Sequence, residues 1–302
     1  MKKVGTVPAR RMNFAAKSRR AGLAYVSPLT VVVLVFFVVP ILLVFYMSGT
    51  DWKLLGGNKG WNFPENYADV LDNRMFWPAV GFTVKYTVIA TVLLIGLGLG
   101  LALLVQESSR WKGLLRTAIL LPAATGLASA SLLFYALYSP QVGPLKGALS
   151  KIGVASILGS PDGALWATVF LILWRYVGFY MLLLLVGLQG IGTELYEAAR
   201  VDGAKTLSIF THITLPLLRP ALALSTIMCV TGSLLAFDQF YILTKGGPDG
   251  STMTVVQLVY NLAFESKRSL GMAAALSVVA LLALIVVNIV QLRALRGGDD
   301  EA

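Results

Sequence analysis

Glu197-Ala198-Ala199-Arg200-Val201-Asp202-Gly203, followed ten residues later by Ile213-Thr214-Leu215-Pro216, lies between two apolar runs at 165–188 and 217–237. Each run is long enough to cross a bilayer as a helix, which takes about 20 residues. A short polar helix fixed at a membrane surface is what a soluble partner needs in order to grip a membrane protein. The fold is read outward from this charged island and its apolar flanks.

The chain has 302 residues, 57% hydrophobic and 13% charged. A soluble domain averages about 25% charged residues, so a water-facing surface of this size is excluded. The apolar residues also come in blocks, without the period of a half-buried element. The net charge of +10 does not point to nucleic acid. Lys2, Lys3, Arg10, Arg11, Lys17, Arg19 and Arg20 precede the first apolar run with no acid among them. A basic tail before a span is a topology signal first and an anionic-lipid contact second. The single cysteine, Cys229, lies in an apolar run and reads as a packing residue. The apolar run at 25–47 exceeds the roughly 7–15 residues of a signal peptide and lacks a small-residue cleavage site after it. It is expected to remain as a span.

Six segments qualify as spans: 25–47, 80–105, 114–138, 165–188, 217–237 and 272–292. Backbone groups unpaired in lipid are too costly for anything but helices or closed barrels, and runs such as Met181-Leu182-Leu183-Leu184-Leu185-Val186 do not alternate as barrel strands would. The chain is expected to be an all-α integral membrane protein. Its parts are a basic tail over 1–24, a membrane domain over 25–292 with a loop at 189–216, and a tail over 293–302. The N-terminal tail, 106–116, 189–219 and the C-terminus carry 7, 3, 3 and 2 Lys or Arg, against 3, 2 and 3 in the other loops. The positive-inside rule puts both termini in the cytoplasm, an orientation set mainly by the tail. Pro40 and Pro122 permit kinks in the first and third spans, and Pro216 and Pro220 are assigned to the start of the fifth.

Several features resemble sites. Gly96-Leu97-Gly98-Leu99-Gly100 lies mid-membrane with no strand before it, so Gly96 and Gly100 read as a GxxxG packing pair. Gly203-Ala204-Lys205-Thr206 lacks the spacing of a phosphate loop, so any ATP used must be bound by another subunit. Lys85 lies near the outer end of its span, where it can snorkel. Arg175 lies about ten residues into the fourth span. A charge that deep faces a bundle interior or an aqueous cavity. Two readings stand open: a ligand site with Trp174, Tyr176 and Tyr180 as sugar-stacking neighbours, or a structural contact to a partner helix or to Asp238. Polar and aromatic groups at Phe237-Asp238-Gln239-Phe240-Tyr241 line a cavity mouth or form an interfacial belt. His212, the only histidine, has no ligand partner in the pattern and reads as a surface residue. No nucleophile–base or paired-acid constellation is present, so the chain is not expected to be an enzyme, and no metal site or cofactor of its own is expected.

The loop resembles the EAA motif of bacterial ABC importer permeases: Glu197-Ala198-Ala199, then Gly203, Ile213, Leu215 and Pro216, each at the family spacing. Thr244-Lys245-Gly246-Gly247-Pro248 with Thr252, Thr254, Tyr260 and Phe264 is similar to the carbohydrate-uptake branch, of MalF-like or UgpA-like type, and so is Gly187-Leu188-Gln189. Where the family often has a proline, this chain has Gly192, and a looser hinge is expected. The resemblance covers about 28–292. It implies the type I ABC importer transmembrane-domain fold and a multi-pass subunit of the bacterial cell membrane. It also implies a second permease subunit, two cytoplasmic ATPase subunits holding ATP and Mg, and an external substrate-binding protein as partners. Glu197, Ala198, Ala199, Asp202, Gly203, Ile213, Leu215 and Pro216 are then the ATPase-coupling residues, while periodicity alone would leave an ordinary interfacial helix. Leu207, Phe210 and Ile213 are expected to lie against the end of the bundle. Arg175, Tyr176, Gly178, Phe179, Ser233, Asp238 and Gln239 are the substrate-cavity candidates, chosen for polarity or smallness. The implied solute is a sugar or oligosaccharide, with glycerol 3-phosphate or a glycerophosphodiester as the alternative. A stand-alone secondary transporter is a more distant one, since no internal repeat is evident.

Overall fold

The computed structural model describes residues 22, 25–107, 109–141, 143–144 and 156–296. Apart from Gly22, the basic tail expected over 1–24 lies outside the described residues, as do residues 297–302. Among the described residues, four continuous helices are long and apolar enough to cross a membrane: α1 (Tyr25–Ser48), α3 (Phe76–Val105), α6 (Pro161–Gln189) and α12 (Leu270–Arg296). Between α1 and α3 lie a hairpin, β1 (Thr50–Lys53) with β2 (Gly57–Trp61), and the short helix α2 (Glu65–Leu71). Sequence reading assigned no strand there. The hairpin pairs antiparallel with a bulge between Thr50 and Trp52. Asn66 of α2 fastens it by donating to Ser48 O at 2.9 Å and Thr50 O at 2.8 Å. No residue of the most apolar window of α1 is buried. A helix apolar on every side and exposed is stable only in lipid or against another apolar subunit. Pro40 has no N–H to offer Phe36 O, and the helix widens into a π turn at Leu34–Val38 just before it.

The third expected span is not one helix. α4 (Arg110–Leu120) continues through a 3₁₀ turn at Leu121–Ala124, and α5 (Leu127–Tyr138) leaves at 93° to it. The apolar letters of 114–138 conceal a helix terminator. Pro122 starts the tight turn, the Thr125 hydroxyl donates back to Pro122 O at 2.7 Å, and Gly126 exits in an extended conformation. With Arg110, Lys112, Arg116 and the exposed Trp111, α4 has the composition of an interfacial helix.

The fifth span is also bent. The helical turns over Thr206–Leu217, α8, meet α9 (Arg219–Leu234) at 66°. Pro216 and Pro220 withhold the N–H groups that would bond to His212 and Pro216 carbonyls, and a π turn at Phe210–Thr214 precedes them. The pair therefore bends the span as well as opening it. α9 stops at Leu234, short of the expected 237, and just beyond it the Thr254 hydroxyl donates to Ala236 O at 2.7 Å. A separate helix, α10 (Asp238–Leu243), follows, and then α11 (Val255–Tyr260).

α6 is the centre of the bundle. It packs along α3 and touches α4, α5 and α9, while α1 and α2 lie on α12. Gly98 of α3 makes the closest approach to α6: a Cβ there would sit 3.2 Å from Met181 N and from Tyr180 Cβ. Gly96 and Gly100, expected to be the packing pair, would meet nothing within 4 Å. Gly98 lies two positions from each, and two residues turn a helix about 200°, so the central glycine faces α6 and its flankers face away.

Candidate functional site

α3, α5, α6, α9 and α10 enclose a cavity of about 370 Å³, within the roughly 300–1,000 Å³ of small-molecule sites. Of the seven cavity candidates, Tyr176, Phe179, Ser233, Asp238 and Gln239 line it. Gln239 is buried and donates its amide to the Tyr86 hydroxyl at 3.3 Å, while its own carbonyl oxygen, also buried, has no partner. Tyr86, Leu127 and Cys229 also line it and were missed, while Tyr180, expected as a stacking neighbour, lines it too. Only a tertiary arrangement brings Tyr86 of α3 and Leu127 of α5 to the residues of α6, α9 and α10, although a polar Tyr86 inside an apolar run was a usable signal. Cys229 is buried, as a packing residue should be, and also contributes to the lining.

Arg175 and Gly178 are not among the lining residues. Arg175 donates to Ala123 O at 2.8 Å, and its guanidinium carbon lies 4.5 Å over the Tyr176 ring. It makes no ion pair with Asp238. Gly178 abuts the end of α4, where an added Cβ would press on Ile119 O and lie 2.9 Å from Leu120 Cα. Lys85 and His212 are exposed, as expected.

At one end of the bundle the sequence island forms the helix α7 (Thr193–Val201). Gly192 starts it with φ −59°, the value a proline would impose. Glu194 in the first turn and Arg200 in the last suit the helix dipole. Gly203 takes φ +77° and closes a Schellman turn, with Ala204 N donating to Ala199 O at 2.9 Å and Gly203 N to Arg200 O at 3.1 Å. Glu197, Ala198, Asp202 and Gly203 are exposed, while Ala199, Ile213 and Pro216 are half-buried and Leu215 is just exposed. Leu207, expected against the bundle, is 73% exposed. Of the three residues expected there, Phe210 and Ile213 are partly covered.

α7 is seated against the core at this end of the bundle by Tyr196. A cavity of about 590 Å³ separates it from the end of α3, lined by Leu103, Gln106, Tyr196, Arg200, Phe210 and Thr214 among others. Tyr196 crosses to the buried Thr214, hydroxyl to hydroxyl, at 3.3 Å. Beside it Arg116 of α4 donates to Val105 O, Gln106 O at 3.3 Å and Glu107 O at 3.1 Å, supplying partners to the last carbonyls of α3. Lys112, 2.6 Å away, holds the Glu107 carboxyl below the ordinary carboxylate range, and Arg200 of α7 acts in the same direction. Arg116, Tyr196 and Thr214 were all missed as site residues. They are ordinary letters in the sequence, and only the fold makes them contacts.

A multi-pass helical bundle with an internal cavity and an exposed terminal helix has the anatomy of a membrane permease. Residues 93–296, more than half of the chain, match the family described as "Binding-protein-dependent transport system inner membrane component". The chain belongs to that family. It is similar to the trehalose/maltose transport system permease protein MalF of Thermococcus litoralis, 34% identical over 92% of this chain and 95% of that one. It is also similar to the lactose transport system permease protein LacF of Rhizobium radiobacter, 34% identical over 91% and 94%. Among solved structures, a chain of a bacterial ABC transporter that imports the acidic polysaccharide alginate has a TM-score of 0.82. It is 20% identical, covering 94% of this chain and 98% of that one. A second structure of an alginate transporter, in complex with a periplasmic protein bound to an alginate pentasaccharide, has a TM-score of 0.81 at 20% identity over 93% and 96%. The glycerophosphate alternative is not favoured: these relatives are named for sugars, and the deep cation Arg175 is turned away from the cavity.

Proposed function

We propose that this chain is one of two permease subunits of a binding-protein-dependent ABC importer, and that it carries a sugar or short oligosaccharide across the cytoplasmic membrane. The observation that carries the reading is the pairing of an aromatic and hydroxyl-lined cavity with an exposed helix bearing Glu197, Ala198 and Ala199. Rings such as Tyr176 and Phe179 offer apolar faces to a pyranose, and Ser233 and Gln239 offer hydrogen bonds to its hydroxyls. The sugar relatives support the solute class.

In this reading both termini and α7 are cytoplasmic. ATP and Mg are bound and hydrolysed by two partner subunits, and the external binding protein delivers the solute. Closure of the ATPases draws α7 inward and favours one bundle conformation over another, which is the only way nucleotide can drive the change. The test is uptake of labelled maltose, trehalose and lactose by the reconstituted complex, with its binding proteins, in the presence and absence of ATP. Uptake should require both ATP and the binding protein. Glu197→Lys and Gly203→Pro should separate hydrolysis from uptake while leaving membrane insertion intact, since Pro cannot take the positive φ of Gly203. Solute movement by the purified chain alone, without nucleotide, would overturn the reading.

A further inference from the structure

Arg175 and Gly178, the two candidates outside the cavity lining, stand one turn apart on α6 and meet the end of α4 together. Gly178 receives the Ile119 carbonyl, and Arg175 donates to Ala123 O one turn further along that chain. Ala123 sits in the 3₁₀ turn where the third span stops being α-helical, and its carbonyl is among those a helix end leaves without an internal partner. Two residues on, the chain turns through 93°, and Leu127, the first residue of α5, lines the cavity. On its other side the guanidinium covers Tyr176, which also lines the cavity. Midway along α4, Arg116 donates to carbonyls at the end of α3. Guanidinium–carbonyl contacts therefore tie α4 to the end of α3 at its middle, and tie the turn that follows it to α6 beside the cavity wall.

We propose that Arg175 is a positioning residue for translocation. It clasps the broken third span to α6 and so fixes the wall on which Leu127 and Tyr176 face the solute. The assignment rests on the permease reading above. It explains a charge in the middle of a 29-residue apolar helix, where an ion is retained only with a compensating partner. It also explains the residue type. A planar guanidinium lies over an aromatic ring while donating in its own plane, and a lysine ammonium cannot do both with one geometry. The clasp holds the two segments at the angle that the cavity requires, and the solute never touches Arg175.

The test compares Arg175→Met and Arg175→Lys with the unaltered chain in the assembled importer in proteoliposomes. Uptake and ATP hydrolysis are measured together, and spin labels at Leu114→Cys and Val186→Cys, both exposed on α4 and α6, report their separation in a Cys229→Ser background. Arg175→Met should assemble with its partners and hydrolyse ATP on addition of loaded binding protein. Its uptake per ATP should fall about tenfold, with a broadened label distance. Arg175→Lys should fall between. Where Arg175→Met fails to assemble, Arg175→Lys decides by the same ratio and width. Unchanged uptake per ATP with an unchanged distance overturns the clasp. So does an equal loss of assembly, hydrolysis and uptake in both variants, or a rise in the KM for solute with the label distance unchanged, which would place Arg175 in contact with solute. If the unaltered complex takes up no sugar, the permease reading fails instead. The label distance still reports on the clasp in that case.

Discussion

Gly178→Ala should destabilise the bundle more than Gly98→Ala or Gly96→Ala. A Cβ at Gly178 would lie 2.8 Å from Ile119 C and 2.9 Å from Leu120 Cα, and closer still to Ile119 O. Carbon pairs rest at about 3.5–4.0 Å, so the end of α4 must retreat by roughly 0.6–1 Å, and all the atoms involved are backbone. Overpacking of this kind costs about 1–3 kcal/mol. Alanine recovers up to about 1 kcal/mol of helix propensity, leaving a net loss of up to about 2 kcal/mol. At an unfolding entropy of about 2.1 cal/mol/K per residue, a chain of 302 residues converts that to a fall in melting temperature of up to about 3 °C. The assay is thermal unfolding of the detergent-solubilised complex at fixed protein and detergent concentration, read by monodispersity after heating. Gly98→Ala should fall less, since its tightest neighbours lie at 3.2 Å, and Gly96→Ala, with nothing within 4 Å, should match or exceed the unaltered chain. If Gly178→Ala and Gly96→Ala melt together, α4 is not seated on α6 as described.

Three further outcomes follow from the geometry. Tyr196→Phe keeps the ring but removes the 3.3 Å contact to buried Thr214. A neutral hydrogen bond contributes about 0.5–1.5 kcal/mol, so uptake per ATP should fall about 2–12-fold. Thr214→Val should do the same, and the double variant should be no worse than either alone; parallel assays of uptake and hydrolysis check this. Arg116→Met uncovers the carbonyls of Val105, Gln106 and Glu107, and amide hydrogen exchange across the 105–113 turn should accelerate about tenfold for a loss near 1.4 kcal/mol. Gln239→Leu removes the donor to Tyr86 and the orphaned buried carbonyl together. The KM for sugar uptake should rise, with little change in melting temperature because an unsatisfied group is also lost. An unchanged KM would remove Gln239 from the solute wall.

The parts of this architecture that could be read without coordinates are those that depend on local chemistry. Hydrocarbon imposes one requirement on every spanning backbone, that it pair with itself, so uninterrupted runs such as that ending at Val105 declare themselves as helices. The turn at Gly203 declares itself too, because a positive φ after a short polar helix selects glycine. What stayed hidden depends on pairing across the chain. Hydropathy treats 114–138 as one run, since Pro122 and Gly126 are too few to lower its mean, yet the break persists because Arg175, 52 residues away from Ala123, supplies the partner its carbonyl lacks. Polarity alone left Arg175 open between a solute contact and a structural contact to another helix, and its guanidinium donates to the Ala123 carbonyl. Gly178 was chosen for smallness and is small for a helix crossing. Ser233 and Gln239 do face the cavity, but the sequence offers no way to separate the two pairs. The reason is general to a bundle in lipid: a polar side chain there must find a partner, and a solute, a carbonyl at a broken helix and a neighbouring side chain satisfy that demand equally well. Which one it finds is fixed by where the third span breaks. The break is therefore the feature that converts a list of polar letters into a site.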